Sequence, residues 1–329
     1  MLKLVYILAA SHSGSTLLSM LLNSHSKVVT TGELKFSSKA IGDTNRYRCS
    51  CGQFINQCEF WQKVKEQMQN KGYEFDISNS GTDFNAVDSK YVQKLLKPLH
   101  RGRFLELCRD CSLNISPSWR RDLPQIQKRN AALIETILEI TGAQVVVDSS
   151  KTDLRLKFLL RNKRLDIKVI RLIRDGRAVA LTYMNPAEFA DTKRPDLRAG
   201  GTGGNREKER LSMAQAAHQW KRSNEAAENL LRRLDKTRWI EIRYEQLCSD
   251  TEKTLNNLFN FIGLDPDMRN NDFRSVENHV VGNGMRLDTT SNVKLDERWK
   301  TVLSEKQLHI FEEVAGFINE SYSYHKKIK

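Results

Sequence analysis

Long apolar stretches are missing from this sequence. No run approaches the roughly 20 consecutive apolar residues that a membrane-spanning helix needs. The N-terminal run Leu2–Ala9 is short, leads directly into a Ser/Gly turn and is not followed by a small-residue cleavage site. We therefore expect no membrane span, no signal peptide and, by default, a soluble cytoplasmic protein.

Proline and glycine are scarce, with 6 and 17 among 329 residues, and this scarcity argues against long disordered tracts. No internal repeat or break in composition divides the chain. We expect a single domain over residues 1–329, with a helical insertion at about 60–140. The segment 185–206 combines two prolines and four glycines without periodicity, which is typical of a lid or of a plain connector.

Acidic residues are too few to balance the basic ones. The 53 Lys and Arg residues against 40 Asp and Glu residues give a net charge of +13. Such an excess indicates a polyanionic partner, an anionic membrane surface or a small substrate with several negative charges. The basic residues are spread along the chain and lack the aromatic interleaving of a nucleic-acid platform, so we expect no nucleic acid among the partners.

Cysteines, six in all, are too few for a disulfide scaffold in a chain of this size. Cys49, Cys51 and Cys58, with Cys108 and Cys111 as further candidates, offer thiolates for a structural zinc site. However, CxC followed by a third cysteine after six residues is not a usual zinc spacing. A disulfide within the loop and free thiols are the alternatives, free thiols are favoured, and none of these cysteines is expected to be catalytic.

What the sequence does contain is an alternation of buried strands and amphipathic helices. Apolar runs rich in β-forming residues predict strands at Leu2–Ala9, Val28–Thr31, Gln144–Asp148, Ile167–Ile173 and Trp239–Arg243. Helical spacing predicts helices at Phe60–Met68, Tyr91–Cys111, Gln125–Ile140, Leu154–Leu160, Gly176–Met184, Glu207–Leu234, Glu245–Ile262 and Ser304–Glu320. This alternation predicts an α/β fold with a parallel sheet flanked by helices.

The segment SHSGST, residues Ser11–Thr16, joins the first strand to the first helix. Backbone N–H groups of such a turn, together with the positive end of the helix dipole, bind a tetrahedral anion. A nucleoside-triphosphate loop, GxxxxGK[ST], carries a lysine after its second glycine, whereas Gly14 is followed here by Ser15. We predict a P-loop-like phosphate cradle without the kinase lysine, with simple helix capping as the alternative.

A second anion site is predicted at the end of another strand. In KVIRLIRDGRAVALTYM, Arg174 ends the strand and Thr182 lies on the following helix. The planar guanidinium of an arginine and a hydroxyl can converge on one anion. Two such sites imply a ligand with two separate phosphate-like groups, although Arg174 alone would be compatible with a surface position.

These two segments resemble the cofactor motifs of sulfotransferases. SHSGSTLL is similar to their 5′-phosphosulfate loop, and IRDGRAVALT is similar to their 3′-phosphate motif. The resemblance implies the sulfate donor 3′-phosphoadenosine 5′-phosphosulfate (PAPS), with 3′-phosphoadenosine 5′-phosphate (PAP) as the product. It implies contacts to the donor from Ser11, His12, Ser13, Gly14, Ser15, Thr16, Arg174 and Thr182.

Further segments extend the resemblance over about residues 2–300. GEL resembles the Gly-Glu of tyrosylprotein sulfotransferases. VVDSSK resembles an element that supplies a lysine in Golgi and bacterial members. CSCGQFINQCEFW resembles the corresponding segment of a bacterial branch of the family. RYEQLCSDTEKTLNNLFNFIGL resembles the segment whose tyrosine approaches the nucleotide, and SNVKLDERW resembles the late loop that closes over it. The implied residues are Glu33, Lys151, Tyr244 and Arg298, and we add Arg286 as a candidate donor contact.

The family implies an in-line displacement in which basic groups stabilise the leaving phosphate, so no metal is required. Glu33 is expected to be the general base for an acceptor hydroxyl or amine, and Lys151 and His12 are expected to stabilise the bridging oxygen. His12 stands where Lys or Arg is usual. It would replace that charge if protonated, act as a donor or base if neutral, or merely cap the turn.

Each of these assignments has a plainer alternative. Glu33 is compatible with a solvated acid, Tyr244 with a core aromatic, and Lys151, Arg286 and Arg298 with surface charges. Trp220 is expected to pack rather than to contact substrate. The rival functions are a P-loop kinase-like phosphotransferase, for which Asp148 would be the acidic magnesium ligand, and a non-catalytic polyanion-binding protein. Carbohydrate, lipid, peptide and small-molecule acceptors all stay open.

Overall fold

Five parallel strands form the central sheet of the computed structural model, which describes residues 1–35, 44–85, 87–97, 102–197 and 209–325. The strands are β1 (Leu2–Ala9), β2 (Val28–Thr30), β3 (Val145–Lys151), β4 (Leu165–Ile173) and β5 (Trp239–Arg243). Their order in the sheet is β2-β3-β1-β4-β5, and every pair is parallel. The predicted α/β fold is confirmed.

Helices follow the strands along the chain. They are α1 (Ser15–Leu22), α2 (Glu59–Asn70), α3 (Lys90–Leu96), α4 (Gly102–Ile115), α5 (Pro117–Thr141), α6 (Asp153–Leu159), α7 (Gly176–Met184), α8 (Pro186–Phe189), α9 (Met213–Leu231), α10 (Tyr244–Ser249), α11 (Thr251–Ile262), α12 (Trp299–Val302), α13 (Glu305–Phe311) and α14 (Phe317–Ser321). Short 3₁₀ turns lie at Pro195–Leu197, Lys236–Arg238, Pro266–Met268 and Gly284–Leu287, and a π-helical turn at Glu312–Gly316.

Strand β1 lies in the middle of the sheet, and both of its faces are buried. Its side chains alternate between the two faces as strand geometry requires. Leu4, Tyr6 and Leu8 pack in a core with helices α2–α6, whereas Val5 and Ile7 pack in another with α1 and α11. Burial on both faces explains why β1 is a continuous apolar run rather than an alternating one.

Helix boundaries differ from the predicted ones in several places. Tyr91–Cys111 contains two helices, α3 and α4, rather than one. The helix predicted at Glu245–Ile262 breaks at Asp250, whose carboxylate accepts a hydrogen bond from the amide of Lys253. A side-chain cap of this kind starts a new helix without disturbing the apolar spacing, so periodicity alone does not reveal it.

The glycine-rich segment 185–206 is only partly within the described residues. It begins with α8 and includes the 3₁₀ turn Pro195–Leu197, whereas residues 198–206 lie outside the described part of the chain. Among the described helices, none is long and apolar enough to cross a bilayer.

Candidate active site

A cavity of about 690 Å³ opens at the carboxyl edge of the sheet. Because parallel strands all end at this edge, the loops that follow β1, β2, β3 and β4 meet there. Most of the predicted site residues border the cavity: Ser11, His12, Gly14, Ser15, Thr16, Glu33, Lys151, Arg174, Thr182, Tyr244 and Arg298. Residues that lie 287 positions apart in the sequence are therefore brought to one concave surface.

The turn after β1 combines a helix start without a side-chain cap and a buried hydroxyl. Gly14 is the N-cap residue of α1 and provides no side-chain cap for the first turn of that helix. Ser15 and Thr16, which form that first turn, border the cavity. Ser13 is buried, and its hydroxyl has no hydrogen-bond partner among the described residues. A buried unsatisfied hydroxyl beside free helix N–H groups fits an anion.

Gly14, Tyr244 and Arg174 form a stack that joins the two predicted anion sites. A Cβ atom on Gly14 would lie 2.5 Å from Cδ2 of Tyr244. The guanidinium carbon of Arg174 lies 4.3 Å from the centre of the same ring. Burial raises the pKa of Tyr244, so its phenol stays neutral. Tyr244 is buried, as expected for a core aromatic, and it also borders the cavity, as expected for a residue that approaches the nucleotide.

We expect Gly14→Ala to lower both ligand affinity and stability. The φ of Gly14 is 92°, which L-residues rarely adopt, and the new methyl group would push into the Tyr244 ring. Backbone strain of this kind costs about 1–3 kcal/mol, and about 2–4 °C of Tm accompanies each kcal/mol in a protein of 150–250 residues. Differential scanning calorimetry and PAP titration measure the two effects.

Gly142→Ala is the matched control, since Gly142 also has a positive φ, of 67°, but nothing lies within 4 Å of its Cβ position. It should show the backbone strain alone, with unchanged PAP affinity. Equal losses of affinity in the two variants would contradict the role assigned to the Gly14–Tyr244 contact.

Arg174 is fixed by contacts on several sides. Its guanidinium donates to the carbonyl of His12 at 3.0 Å and to the carboxylate of Asp296 at 2.9 Å. The indole N–H of Trp220 donates to the carbonyl of Arg174 at 3.2 Å. Trp220 is fully buried, so the expectation that it packs is confirmed. Sequence reasoning missed its second contact, which anchors the end of β4.

Thr182 borders the cavity from α7, two turns after Arg174. Its hydroxyl donates to the carbonyl of Ala178 at 3.1 Å. The oxygen keeps its acceptor capacity, and donation to an anion would require the hydroxyl hydrogen to rotate away from that carbonyl.

Asp296 is the site residue that sequence reasoning missed, although it lies in the late segment SNVKLDERW. Its carboxylate binds Arg174 and also accepts from Arg298 at 2.7 and 2.9 Å. Burial acts to raise its pKa, but the Arg298 hydrogen bond and the Arg174 charge outweigh burial and hold it well below the usual value. An ionised carboxylate therefore lies where the second anion site was predicted.

Glu33 and Lys151, the two candidate catalytic residues, form an ion pair at the cavity wall. A Cβ on Gly282 would lie 3.4 Å from the Thr16 hydroxyl and 3.8 Å from a Glu33 carboxylate oxygen, so these two oxygens are within about 7 Å of each other. Glu33 is therefore close to the turn after β1. Lys151 adopts a left-handed backbone conformation, with φ 71°. Such a strained conformation directs its side chain away from the path of the strand.

Gly32 explains why a glycine precedes Glu33. Its φ is 82°, and a Cβ there would lie 1.8 Å from the carbonyl oxygen of Val281. This close approach lets the amide of Glu33 donate to that same carbonyl at 3.1 Å. A side chain at position 32 would separate the two segments and displace Glu33.

Asp148, the strand-end acid that a kinase-like function would need, has another role. Its carboxylate is fully buried and accepts from Arg155 at 3.0 Å and from the amide of Leu34 at 3.2 Å. Ser150 binds the same carboxylate and accepts from the amide of Lys35 at 3.0 Å. Asp148 thus positions the GEL segment, and its oxygens are engaged by protein donors rather than directed to a metal.

His12 is the second residue of the turn Ser11–Thr16, and it borders the cavity. It has a positive φ of 66°, and its ring packs edge-to-face on Tyr183 with centroids 4.6 Å apart. Burial raises the pKa of Tyr183. The cationic and the neutral roles of His12 both stay predictions.

Arg286 lies away from the other predicted donor contacts. It is fully buried and does not border the cavity. Its guanidinium donates to the carbonyls of Arg48 and Gly282, both at 2.6 Å, and stacks on Tyr47 at 4.4 Å. Because these carbonyls and this ring hold it, Arg286 fastens the 47–48 segment to Gly282, and its contact with the donor stays a prediction.

The five candidate cysteines lie in two separate places, and the sixth cysteine, Cys248, lies on α10. Cys108 and Cys111 are exposed on α4 and do not join the others. Cys49, Cys51 and Cys58 lie together, with 3.7 Å between the Cys51 and Cys58 sulfurs, so the loop disulfide is absent. The cluster contains no cavity-lining residue.

These observations define a parallel α/β protein in which the turn after β1 and the strand-end residue Arg174 border one cavity at the carboxyl edge of the sheet. The chain belongs to the Sulfotransferase family, whose model matches residues 5–268. It is therefore an enzyme of the sulfotransferase class, which transfers a sulfuryl group, and the kinase-like and polyanion-binding alternatives are not favoured. No curated protein sequence matches the chain.

Several solved structures are similar to the chain at low sequence identity. The sulfotransferase domain from the curacin biosynthetic pathway has 18% identity and a TM-score of 0.48, over 95% of this chain and 97% of that one. The sulfotransferase domain from the Synechococcus PCC 7002 olefin synthase has 17% identity and a TM-score of 0.46, over 98% and 95%. Mouse sulfotransferase SULT7A1, complexed with PAP, has 11% identity and a TM-score of 0.42, over 98% and 89%.

Proposed function

We propose that this enzyme transfers the sulfuryl group of PAPS to a hydroxyl or amine acceptor. The observation that carries the proposal is the contact of Gly14 and Arg174 with the same Tyr244 ring. An anion-binding turn and a strand-end arginine, separated by one aromatic side chain, suit a nucleotide with phosphate groups at its 5′ and 3′ positions.

The donor would be held at both ends. Ser13, Ser15, Thr16 and the first N–H groups of α1 would bind the 5′-phosphosulfate, and Arg174 with Thr182 would bind the 3′-phosphate. The Asp296 carboxylate, which accepts from Arg174, is negatively charged like that phosphate, and Arg174 would have to exchange it for the phosphate. The buried hydroxyl of Ser13 supports this fit.

The transfer step would be an in-line displacement at sulfur. The acceptor oxygen or nitrogen forms a bond to sulfur as the bond from sulfur to the 5′-phosphate oxygen breaks, and PAP leaves. Glu33 would take the acceptor proton, while the Lys151 ammonium and His12 would stabilise the charge on the leaving oxygen. No step of this scheme uses a metal ion.

The acceptor would enter beside Glu33. A cavity of about 690 Å³ is within the range of small-molecule sites, so the acceptor is a small molecule or the end group of a carbohydrate, lipid or peptide. Glu188, Phe189 and Lys193 also border this space. Their position supports the interpretation of segment 185–206 as a lid of a single domain.

The direct test is transfer by the purified enzyme. The chain is incubated with PAPS and a panel of alcohols, phenols, amines and sugars, and mass spectrometry identifies products that gain one sulfuryl group. We expect acceptor-dependent release of PAP without added metal. Strict magnesium dependence with ATP turnover would establish the kinase-like function instead, and PAP binding without transfer to any acceptor would indicate a binding protein.

Asp296→Asn is expected to increase the affinity for PAP by about 1.4- to 5-fold. The substitution removes a carboxylate that competes with the 3′-phosphate for Arg174, and partly exposed ion pairs of this type contribute about 0.2–1 kcal/mol. Isothermal titration calorimetry measures the change. Weaker binding would mean that Asp296 orients Arg174 for the donor rather than competing with it.

A further inference from the structure

We propose that Cys49, Cys51, Cys58 and His279 bind one zinc ion. The sulfur atoms of the three cysteines and a ring nitrogen of His279 all lie within 4.8 Å of one another. His279 is 221 residues away from Cys58 in the sequence, so a local spacing rule does not reveal it. Three thiolates and one imidazole form a common ligand set of structural zinc sites.

The distances between these ligand atoms agree with tetrahedral coordination. Zn–S bonds of about 2.3 Å and Zn–N bonds of about 2.0–2.1 Å place two sulfurs about 3.8 Å apart and sulfur and nitrogen about 3.5 Å apart. The Cys51 and Cys58 sulfurs are 3.7 Å apart. Nδ1 of His279 is 3.3 Å from the Cys58 sulfur and 3.7 Å from the Cys49 sulfur. A disulfide would require about 2.05 Å between sulfurs.

The histidine is oriented as a metal ligand. Its Nε2 lies 2.8 Å from a carboxylate oxygen of Glu277, which would accept the Nε2 proton in a hydrogen bond while Nδ1 binds the metal. The ring of Phe60 stacks on the His279 ring, with centroids 4.5 Å apart and planes 1° apart. The contacts with Glu277 and Phe60 together hold the His279 ring in the orientation that a metal ligand needs.

The loop that carries the cysteines is attached to the His279 segment independently of a metal. The Ser50 hydroxyl donates to the carbonyl of Asn278 at 2.6 Å and accepts from the amide of Val280 at 2.7 Å. Cys58 is the N-cap residue of α2, so the helix fixes the backbone of this ligand. The ligand set is therefore preorganised, which lowers the entropy cost of binding the ion.

The zinc ion would stabilise the active site from outside the cavity. Val281, two residues after His279, donates to the carbonyl of Thr31 at 2.9 Å, and its own carbonyl accepts from the amide of Glu33. A metal that joins the cysteine loop to His279 therefore fixes the segment against which Glu33 is aligned. This is a structural and positioning role, since no ligand borders the cavity.

Metal analysis of the full chain, purified without chelators, tests the proposal. We expect about one zinc per chain by inductively coupled plasma mass spectrometry, as for a closed four-ligand site. Cys51→Ser should lose most of it, and it should fold because Cys51 is exposed whereas Cys49 and Cys58 are buried. The double variant Cys108→Ser/Cys111→Ser removes two exposed thiols elsewhere and should retain the zinc.

Cobalt substitution gives a second readout that does not depend on any variant. Cobalt(II) added to the chelator-stripped protein should give thiolate-to-metal charge-transfer absorption and the strong visible bands of a tetrahedral ion. Glu277→Gln should weaken zinc affinity by about 10- to 100-fold. Lack of zinc binding by the stripped wild-type chain, an octahedral cobalt spectrum or equal zinc loss in the Cys108/Cys111 control would overturn the proposal. None of these measurements involves the sulfate donor.

Discussion

Replacement of Arg174 by alanine is expected to weaken PAP binding by about 10- to 150-fold. A hydrogen bond to a charged group contributes about 1.5–3 kcal/mol, and each 1.4 kcal/mol corresponds to a factor of ten in affinity. Arg174 is buried and stacked on Tyr244, so little solvent screens its charge. Isothermal titration calorimetry of PAP against the wild-type and variant chains measures the loss.

The control for this experiment is a ligand rather than a second variant. Adenosine 5′-phosphosulfate lacks the 3′-phosphate, and its affinity should change little in Arg174→Ala. Arg174→Lys should recover only part of the PAP affinity, because the lysine ammonium lacks the planar fork of the guanidinium. If both nucleotides lost affinity equally, Arg174 would act by supporting the His12 carbonyl rather than by binding the 3′-phosphate.

Glu33→Gln is expected to lower kcat by about 10²–10⁴-fold, which is the usual contribution of a general base. The amide is nearly the same size as the carboxylate and can accept a hydrogen bond from Lys151, but it cannot take a proton from the acceptor. Donor affinity should therefore stay within about twofold of the wild type. Steady-state kinetics and PAP titration separate the two quantities.

Glu135→Gln is the matched control for Glu33→Gln. Glu135 also pairs with a lysine, Lys71, at 3.4 Å, but on α5 and away from the cavity. Its substitution should leave kcat unchanged. A Glu33→Gln variant with wild-type kcat would exclude Glu33 as the base, and a loss of PAP affinity equal to the loss of kcat would assign it to donor binding.

Asp148 has a different role from the one its position at a strand end suggests. The sequence pattern VVDSSK points to Lys151, and Lys151 does reach the cavity. The same pattern contains a buried carboxylate that holds the amides of Leu34 and Ser150. A buried charge is stable only when it is paired and hydrogen-bonded, and here Arg155 and these donors satisfy it. Asp148 therefore supports Glu33 rather than binding magnesium.

Local regularities of the sequence determined the strands, the turn after β1 and the two anion motifs. Strand Leu2–Ala9, buried over most of both faces, is apolar over most of its length and has the predicted boundaries in the structure. The edge strand Trp239–Arg243, in which apolar and charged residues alternate, also has the predicted boundaries. The carboxyl ends of parallel strands must meet, so Ser11–Thr16 and Arg174 border one cavity. These inferences needed only periodicity, turn chemistry and the geometry of parallel sheets.

Side-chain partners distant in sequence were decided by the tertiary structure alone. The periodicity of the sequence does not predict the contact of Asp296 with Arg174. It also does not predict that the Arg48 and Gly282 carbonyls bind Arg286, or that His279 lies beside three cysteines. Each depends on how loops 47–58 and 277–298 fold over the sheet edge. The folding of these two loops decides which charged side chains pair with each other and which face the cavity. The reason is that burial and distance set the strength of every polar contact.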